Sequence, residues 1–245
     1  MRDKDRRFLV EGVQGVLEAL RSDAVVTDLF FSRASSEERL DPVLEEAGRR
    51  GVATHEVSER VMGALTSTVT PQGVVAVADF LDVSLESLLP GAVFVPVLVE
   101  VRDPGNAGTI FRSADASGAG GVVFTRTSVD VYNPKTVRAS AGSVFHVPVV
   151  RGPDVRETVA TLRQQGFSIY AADAEGGESV YDVDLTGATA VLFGNEAHGL
   201  SPEVAALADK TVRVPIAGRA ESLNLAAAAT LVLFEVARQR SGGRS

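Results

Sequence analysis

From Val93 onward the chain alternates short apolar runs with stretches of helical periodicity, and this alternation restricts the fold more than any other feature. Val93 to Val101 is a continuous apolar run suited to a central strand buried on both faces. Similar runs follow at Gly118 to Phe124, Val147 to Val150, Phe167 to Ala172 and Ala188 to Phe193. Between them, helical patterns reach from the loop after Val101 to Ser117, from Asn133 to Gly142 and from Asp154 to Gln165. Such a pattern predicts an α/β domain, a parallel sheet with helices on both faces.

The preceding residues read as a smaller α/β unit. Phe8 to Arg21 is a strand leading into a helix; Val25 to Phe31, Val52 to Val57 and Gly73 to Phe80 are strands. Ser36 to Arg50 is a helix ended by Gly51, and Ser58 to Leu65 a short one. This predicts a first domain over 1–82, a polar linker over 83–91 that ends in Pro90-Gly91, and a second domain over 92–245. Near the end, Val212 to Ile216 is strand-like, and Leu225 to Val236 is apolar all the way round. A helix of that kind is buried in a core or against a partner subunit. Ser222 and Asn224 at its start would cap free backbone N–H groups, or form a ligand site; both readings are open on this stretch alone.

Composition narrows the chemistry. There is no cysteine, which excludes disulfides, thiolate zinc sites, iron–sulfur clusters and a cysteine nucleophile. The three histidines have no metal-binding spacing and read as structural or surface residues, so no metal is expected. The N-terminus MRDKDRRFLVEG lacks the pattern of a secretory signal and no apolar run is long enough to span a membrane, so a cytoplasmic protein is expected. A net charge of −8 argues against coating nucleic acid by bulk electrostatics, though not against a local basic site. The acidity is concentrated before Gly91, with 10 basic and 16 acidic residues there against 14 and 16 from Gly91 on.

Three segments share one design, an apolar strand running into a glycine-containing polar loop: VLVEVRDPGNAGTIFRSADASGAGGVV, AVLFGNEAHGLSPE and VRVPIAGRAESLNLAAAA. In a parallel sheet, loops leaving the carboxyl ends of strands converge and build the ligand crevice. Gly105, Gly194 and Gly218 would let backbone approach a ligand. The polar side chains are Asn106 and Arg112, Asn195 and Glu196, and Ser222 and Asn224. The Gly118-Ala119-Gly120-Gly121 cluster precedes a strand where a dinucleotide fingerprint must follow one, and GxxxxGK[ST] does not occur.

The three segments resemble the three motifs of the SpoU/TrmH family of RNA ribose 2′-O-methyltransferases, within the SPOUT superfamily. The first is similar at Asn106-Ala-Gly108-Thr-Ile-Phe-Arg112, the second at Leu192-Phe-Gly194-Asn195-Glu196-Ala-His-Gly199-Leu, the third from Val214-Pro215-Ile216 through Glu221-Ser222-Leu223-Asn224-Leu225. The first 80 residues resemble, more loosely, a ribosomal-protein-like RNA-binding domain, at FLVEG and TPQGVVAV. The resemblance implies an α/β domain with a C-terminal trefoil knot, a homodimer, S-adenosylmethionine as cofactor and RNA as substrate. Carried over by position, it implies catalytic roles for Asn106, Arg112, Glu196 and Asn224, and cofactor contacts from Leu192, Gly194, Asn195, Ile216, Ser222, Leu223 and Leu225. A further stretch, Asn133 to Ser140, is similar to a family segment, which implies RNA contacts from Lys135 and Arg138.

A guanidinium essentially never deprotonates in a protein, so Arg112 is expected to orient the target or stabilise developing oxyanion charge rather than act as a base. The appended first domain favours 23S ribosomal RNA as substrate. Transfer RNA, a non-catalytic RNA-binding module and an α/β enzyme for a small ligand are the competing readings.

Overall fold

The computed structural model describes residues 2–33, 37–68 and 70–242. In the front part, β1 (Arg7–Glu11), β2 (Val26–Phe31), β3 (Ala53–Glu56) and β4 (Val74–Asp79) form one sheet in the order β1-β4-β2-β3. β4 runs antiparallel to both neighbours, while β2 and β3 are parallel. Four helices accompany it: α1 (Arg2–Asp5), α2 (Val13–Arg21), α3 (Glu37–Arg50) and α4 (Glu59–Leu65). The expected start of α3 at Ser36 lies outside the described residues.

The expected polar linker is partly structured. Ser84 caps α5 (Leu85–Leu88), and Leu85, Leu88 and Leu89 are buried against the following domain. Burying each leucine contributes about 1.5–3 kcal/mol, more than a polar spacer would be worth. The alternation was too short to be read from so few residues.

The second sheet has seven strands, β5 (Phe94–Leu98), β6 (Val122–Phe124), β7 (Val149–Arg151), β8 (Ser168–Ala172), β9 (Glu178–Ser179), β10 (Thr189–Phe193) and β11 (Lys210–Arg213). Their order is β7-β6-β5-β10-β8-β11-β9, and every pairing is parallel. Alternate residues feed two cores. Phe94, Leu98, Val191 and Phe193 pack on the side of α6 (Pro104–Ser117) and α10 (Leu225–Ser241). Val95, Val97, Ala190 and Leu192 pack with Val159 and Leu162 of α8 (Val155–Gln164) on the other face. Both faces are therefore covered, as the continuous apolar runs require. Two short helices, α7 (Pro134–Ala139) and α9 (Pro202–Ala205), complete this part. Neither β9 nor α9 was expected, and the strand anticipated at Val212 to Ile216 lies earlier, leaving Ile216 exposed in the loop.

α10 is only half buried. Ala226, Ala229, Val232, Leu233 and Val236 face inward, and Thr230 meets Ser113 of α6 with a 2.7 Å hydroxyl contact. Leu231 and Phe234 on the opposite side remain 42% and 47% exposed.

The two sheets share one continuous core at their junction. Tyr132 packs against Phe8 at 4.6 Å and Phe80 at 4.0 Å between ring centroids. Its hydroxyl accepts from the Leu81 N–H at 2.6 Å and donates to Asp82 at 3.0 Å. Burial, with the Asp82 carboxylate beside it, pushes the phenol far above its usual range. At the edge of this junction His146 bridges Asp115 of α6 (2.9 Å) and Glu18 of α2 (3.2 Å). The hydrogen bond donated to Asp115 is the chief cause raising the imidazole pKa; burial opposes it and Glu18 adds to it. The stabilisation is therefore complete below the unfolded histidine value of about 6.5 and is lost as pH rises through the higher folded value. Thermal melts of wild type and His146→Gln should differ most at mildly acidic pH and converge at alkaline pH; a gap that widens with pH would contradict the bridge.

Candidate active site

The register of β5, β10, β8 and β11 brings their carboxyl ends, Leu98, Phe193, Ala172 and Arg213, to one edge of the sheet. The loop after β5 turns at Glu100, whose φ of 57° lies in the left-handed region that side chains disfavour. Asn195, from the loop after β10, donates its amide to the Glu100 carbonyl at 2.9 Å and holds that turn. Asp103 then caps α6, accepting from the Asn106 N–H at 2.8 Å, with Pro104 in the first turn. That backbone hydrogen bond, opposed by burial and aided by Lys135, keeps the Asp103 carboxyl below the usual range.

Glu196 ties the two loops together. Its carboxylate accepts from the backbone N–H groups of Arg102 (3.1 Å) and Asp103 (2.9 Å) and from the Asn106 amide (3.3 Å). Burial alone would raise this carboxyl, but the Asp103 and Arg102 N–H groups and Asn106 outweigh it and hold the pKa below its ordinary value. Glu196 is thus an ionised acceptor with its lone pairs engaged. Asn106 in turn accepts from the Asn224 amide at 3.0 Å, and the Asn224 carbonyl caps α10 by accepting from Ala226 N (2.9 Å) and Ala227 N (3.3 Å). One hydrogen-bonded chain, Glu196–Asn106–Asn224, runs through all three motif loops.

Beside it lies a cavity of about 430 Å³ that includes Glu196. Gly194, Asn195, Ile216, Ser222, Leu223 and Leu225 all line it. Its walls fit S-adenosylmethionine. Val212, Val214, Leu225 and Val232 offer apolar surface for a heterocycle, and Ile216 and Leu223 remain over a third exposed beside them. Asp173, Glu175 and Glu196 supply negative charge for a cation, and the Glu175 carboxylate has no partner among the described residues.

The other expected residues stand elsewhere. Leu192 is fully buried in the core on the opposite sheet face and lines no part of the cavity, because strand residues alternate sides. Arg112 is exposed, six residues beyond Asn106 and about 9 Å farther along α6, and has no ion pair or hydrogen bond among the described residues. Lys135 contacts Asp103 at 3.3 Å, and Arg138 is held by Glu11 and Ser67 of the front domain at 3.3 Å each. The segment Ala172–Glu175 was missed. It too is an apolar strand running into a Gly-containing polar loop, the signal used for the other three, and it lines the cavity.

The glycines have distinct reasons. A side chain on Gly194 would lie 2.3 Å from the Gly199 carbonyl carbon and 2.4 Å from Leu200 N, so backbone rather than ligand demands it. Gly108 allows α6 to cross α7, where a Cβ would come within 2.5 Å of both Ala139 and the Thr136 carbonyl. Gly105 abuts the Asp103 carboxylate, and Gly218 faces open space.

Known proteins decide the family. The SpoU rRNA Methylase family profile matches residues 94–234, and the profile for RNA 2′-O ribose methyltransferase substrate binding matches residues 9–83. The chain belongs to the SpoU rRNA Methylase family. It is 34% identical, over 96% of its length and 90% of the relative's, to the 23S rRNA (guanosine(2553)-2′-O)-methyltransferase RlmP of Bacillus subtilis (strain 168). It is 37% identical, over 100% of its length and 87% of the relative's, to the 23S rRNA (uridine(2479)-2′-O)-methyltransferase of Streptomyces viridochromogenes. The solved structure of the SpoU methyltransferase AviRb from Streptomyces viridochromogenes in complex with AdoMet (S-adenosylmethionine) superposes with a TM-score of 0.85 at 36% identity, covering 99% of this chain and 94% of that one.

Gly194→Ala is expected to force the Asn195–Gly199 turn open and cost about 1–3 kcal/mol of stability. Calorimetry should show at least a severalfold loss of S-adenosylmethionine affinity; unchanged affinity would separate this turn from the cofactor cavity.

Proposed function

We propose that this chain methylates a ribose 2′-hydroxyl of RNA, using S-adenosylmethionine, and that its substrate is 23S ribosomal RNA. The single observation that carries the reading is the Glu196–Asn106–Asn224 chain at the edge of the cavity, since it unites three loops separated by up to 118 residues. The ribosomal substrate is supported by the matched front domain and by the names of the relatives, which span nearly the whole chain.

When bound, the cofactor supplies a methyl group on a positively charged sulfur, an electrophile that needs no metal and no covalent enzyme intermediate. What the chain must add is orientation of the attacking oxygen, whose proton passes to solvent as the oxygen–methyl bond forms and the carbon–sulfur bond breaks, and stabilisation of the charge on that oxygen. Asn106 and Asn224 are suited to hold the ribose, because each side-chain NH2 donates one bond and retains a second N–H. Glu196 is a weak base with a depressed pKa, so its role is to lock Asn106 and the start of α6. Six of the seven expected cofactor residues fit the cavity, and Leu192 acts only by packing β10.

The working unit is a homodimer that pairs through α10 and α6. Ala227, Leu231 and Phe234 form an exposed apolar stripe on α10, and Thr109, Arg112 and Ala116 an exposed stripe on α6. Covering this face buries Leu231 and Phe234 and places Arg112 at the interface, which accounts for its standing away from its own cavity. Sedimentation at a single-chain mass of 25.7 kDa would remove the dimer. The first domain, over 1–82, serves RNA selection, with Lys135 and Arg138 at its border. A threaded, knotted C-terminus is supported by β10 lying between β5 and β8 while the loops after β8, β10 and β11 line one cavity; a crystallographic trace with an open C-terminus would remove it. A cytoplasmic location follows from the same substrate, and fractionation of cells tests it; no helix among the described residues is long and apolar enough to cross a membrane.

Labelled S-adenosylmethionine should transfer methyl groups to 23S ribosomal RNA and not to bulk transfer RNA; the reverse preference overturns the substrate. Arg112→Lys should keep part of the activity, whereas Arg112→Ala should lose about 100-fold in kcat. Equal loss in both, with RNA binding intact, would rule out a role through charge alone.

A further inference from the structure

A second cavity, of about 230 Å³, lies where β1 and the residues before β4 meet α7. Its apolar side includes Val10, Val74, Val137 and the half-buried ring of Phe145. Its polar side carries hydrogen-bonding groups that the fold leaves unused. The hydroxyls of Thr68 and Thr70, the amide nitrogen of Gln72 and the amide oxygen of Gln14 have no partner among the described residues. Arg138 is bound through Nη1 alone, to Glu11 and Ser67, which leaves Nη2 and Nε free to donate. Glu11 adds no open negative charge, because one oxygen accepts from Ser67 N at 3.0 Å and the other pairs with Arg138.

The position matters as much as the lining. Arg138 sits one turn of α7, about 4.5 Å, beyond Lys135. Lys135 touches Asp103, the residue that caps α6 and holds Asn106. A strand that leaves the ribose site along α7 therefore reaches this cavity next.

We propose that the junction cavity takes one unpaired nucleotide of the substrate RNA, adjacent to the stretch being methylated. The proposal rests on the RNA reading above and adds the place where sequence is read. An aromatic face with amide and hydroxyl groups around it is how proteins recognise splayed-out bases, the ring stacking while the rim reads the base edge. The space admits a single heterocycle and excludes a duplex. Phe145 supplies the face, Gln14, Gln72, Thr68 and Thr70 the edge contacts, and the free N–H groups of Arg138 a phosphate contact.

The test uses the full-length enzyme with a 23S ribosomal RNA transcript. Thr68→Val with Thr70→Val keeps shape but removes two hydroxyls. KM for RNA should rise about tenfold with kcat unchanged, and Thr68→Ser with Thr70→Ser should restore it. S-adenosylmethionine affinity, read by calorimetry, should match wild type in both variants. In parallel, irradiating the wild-type enzyme with 4-thiouridine-substituted RNA should cross-link peptides from residues 64–74 or 134–146. An unchanged KM in the valine variant overturns the proposal, as does cross-linking confined to other peptides; both results would fit a protein segment as occupant instead. If the wild type methylates no RNA at all, the parent reading falls, and this proposal with it.

Discussion

Two backbone N–H groups, those of Arg102 and Asp103, point toward a single carboxylate that follows them by 94 and 93 residues and meets both. Without Glu196 they would turn to solvent at the entrance to α6, at a cost of about 0.5–1.5 kcal/mol for each bond lost in this exposed setting. The carboxylate also fixes the Asn106 amide, which fixes Asn224, which caps α10. A change at Glu196 is thereby felt at the start of two helices. Asn195, its neighbour, does the same for Glu100, the residue held at positive φ. Two adjacent side chains thus shape the first motif from within the second.

The same bonds decide what Glu196 does not do. A carboxylate surrounded by donors is stabilised in its charged form and is correspondingly poor at taking a proton. The site is rich in amides and carboxylates set by their neighbours, and its chemistry is one of placement. That suits an alcohol attacking an electrophile already activated by its own positive charge. It suits poorly any reaction that must first generate a strong nucleophile.

The parallel sheet was legible because β5 and β10 are buried throughout and β8 at its centre, so all three are almost purely apolar. Short elements were not: β9 has two residues and α5 and α9 one turn each, too little for any period to register. Asn106, Glu196 and Asn224 were legible through the motif resemblance, and their hydrogen-bonded chain explains why the three segments travel together. Arg112 was legible as a residue but not as a position, since its place depends on the turn of α6 and on what covers that face. Gly105, Gly194 and Gly218 were read as room for a ligand. For Gly194 the structure instead shows close backbone, and at Gly108, which carried no such reading, two helices cross closely; no local pattern carries either constraint.

An acidic protein that acts on RNA faces a long-range penalty that a basic one does not, because its field repels the phosphate backbone. The excess charge here is concentrated in the front part, the part whose profile match is to substrate binding. Affinity must then come from a few short-range contacts rather than from neutralising many phosphates. Lys135 and Arg138, the cations proposed to meet RNA, show how positive charge is kept in a negative field. Each cation is held by one carboxylate, Asp103 or Glu11, that leaves other N–H groups unbonded. Those carboxylates belong to the cap of α6 and to the front sheet, so an RNA strand that engages both cations touches the reaction site and the domain junction at once. The shared aromatic core at Tyr132 keeps the spacing between them fixed. On the RNA path proposed above, selectivity follows from fit along a rigid track, for which bulk positive charge is no substitute.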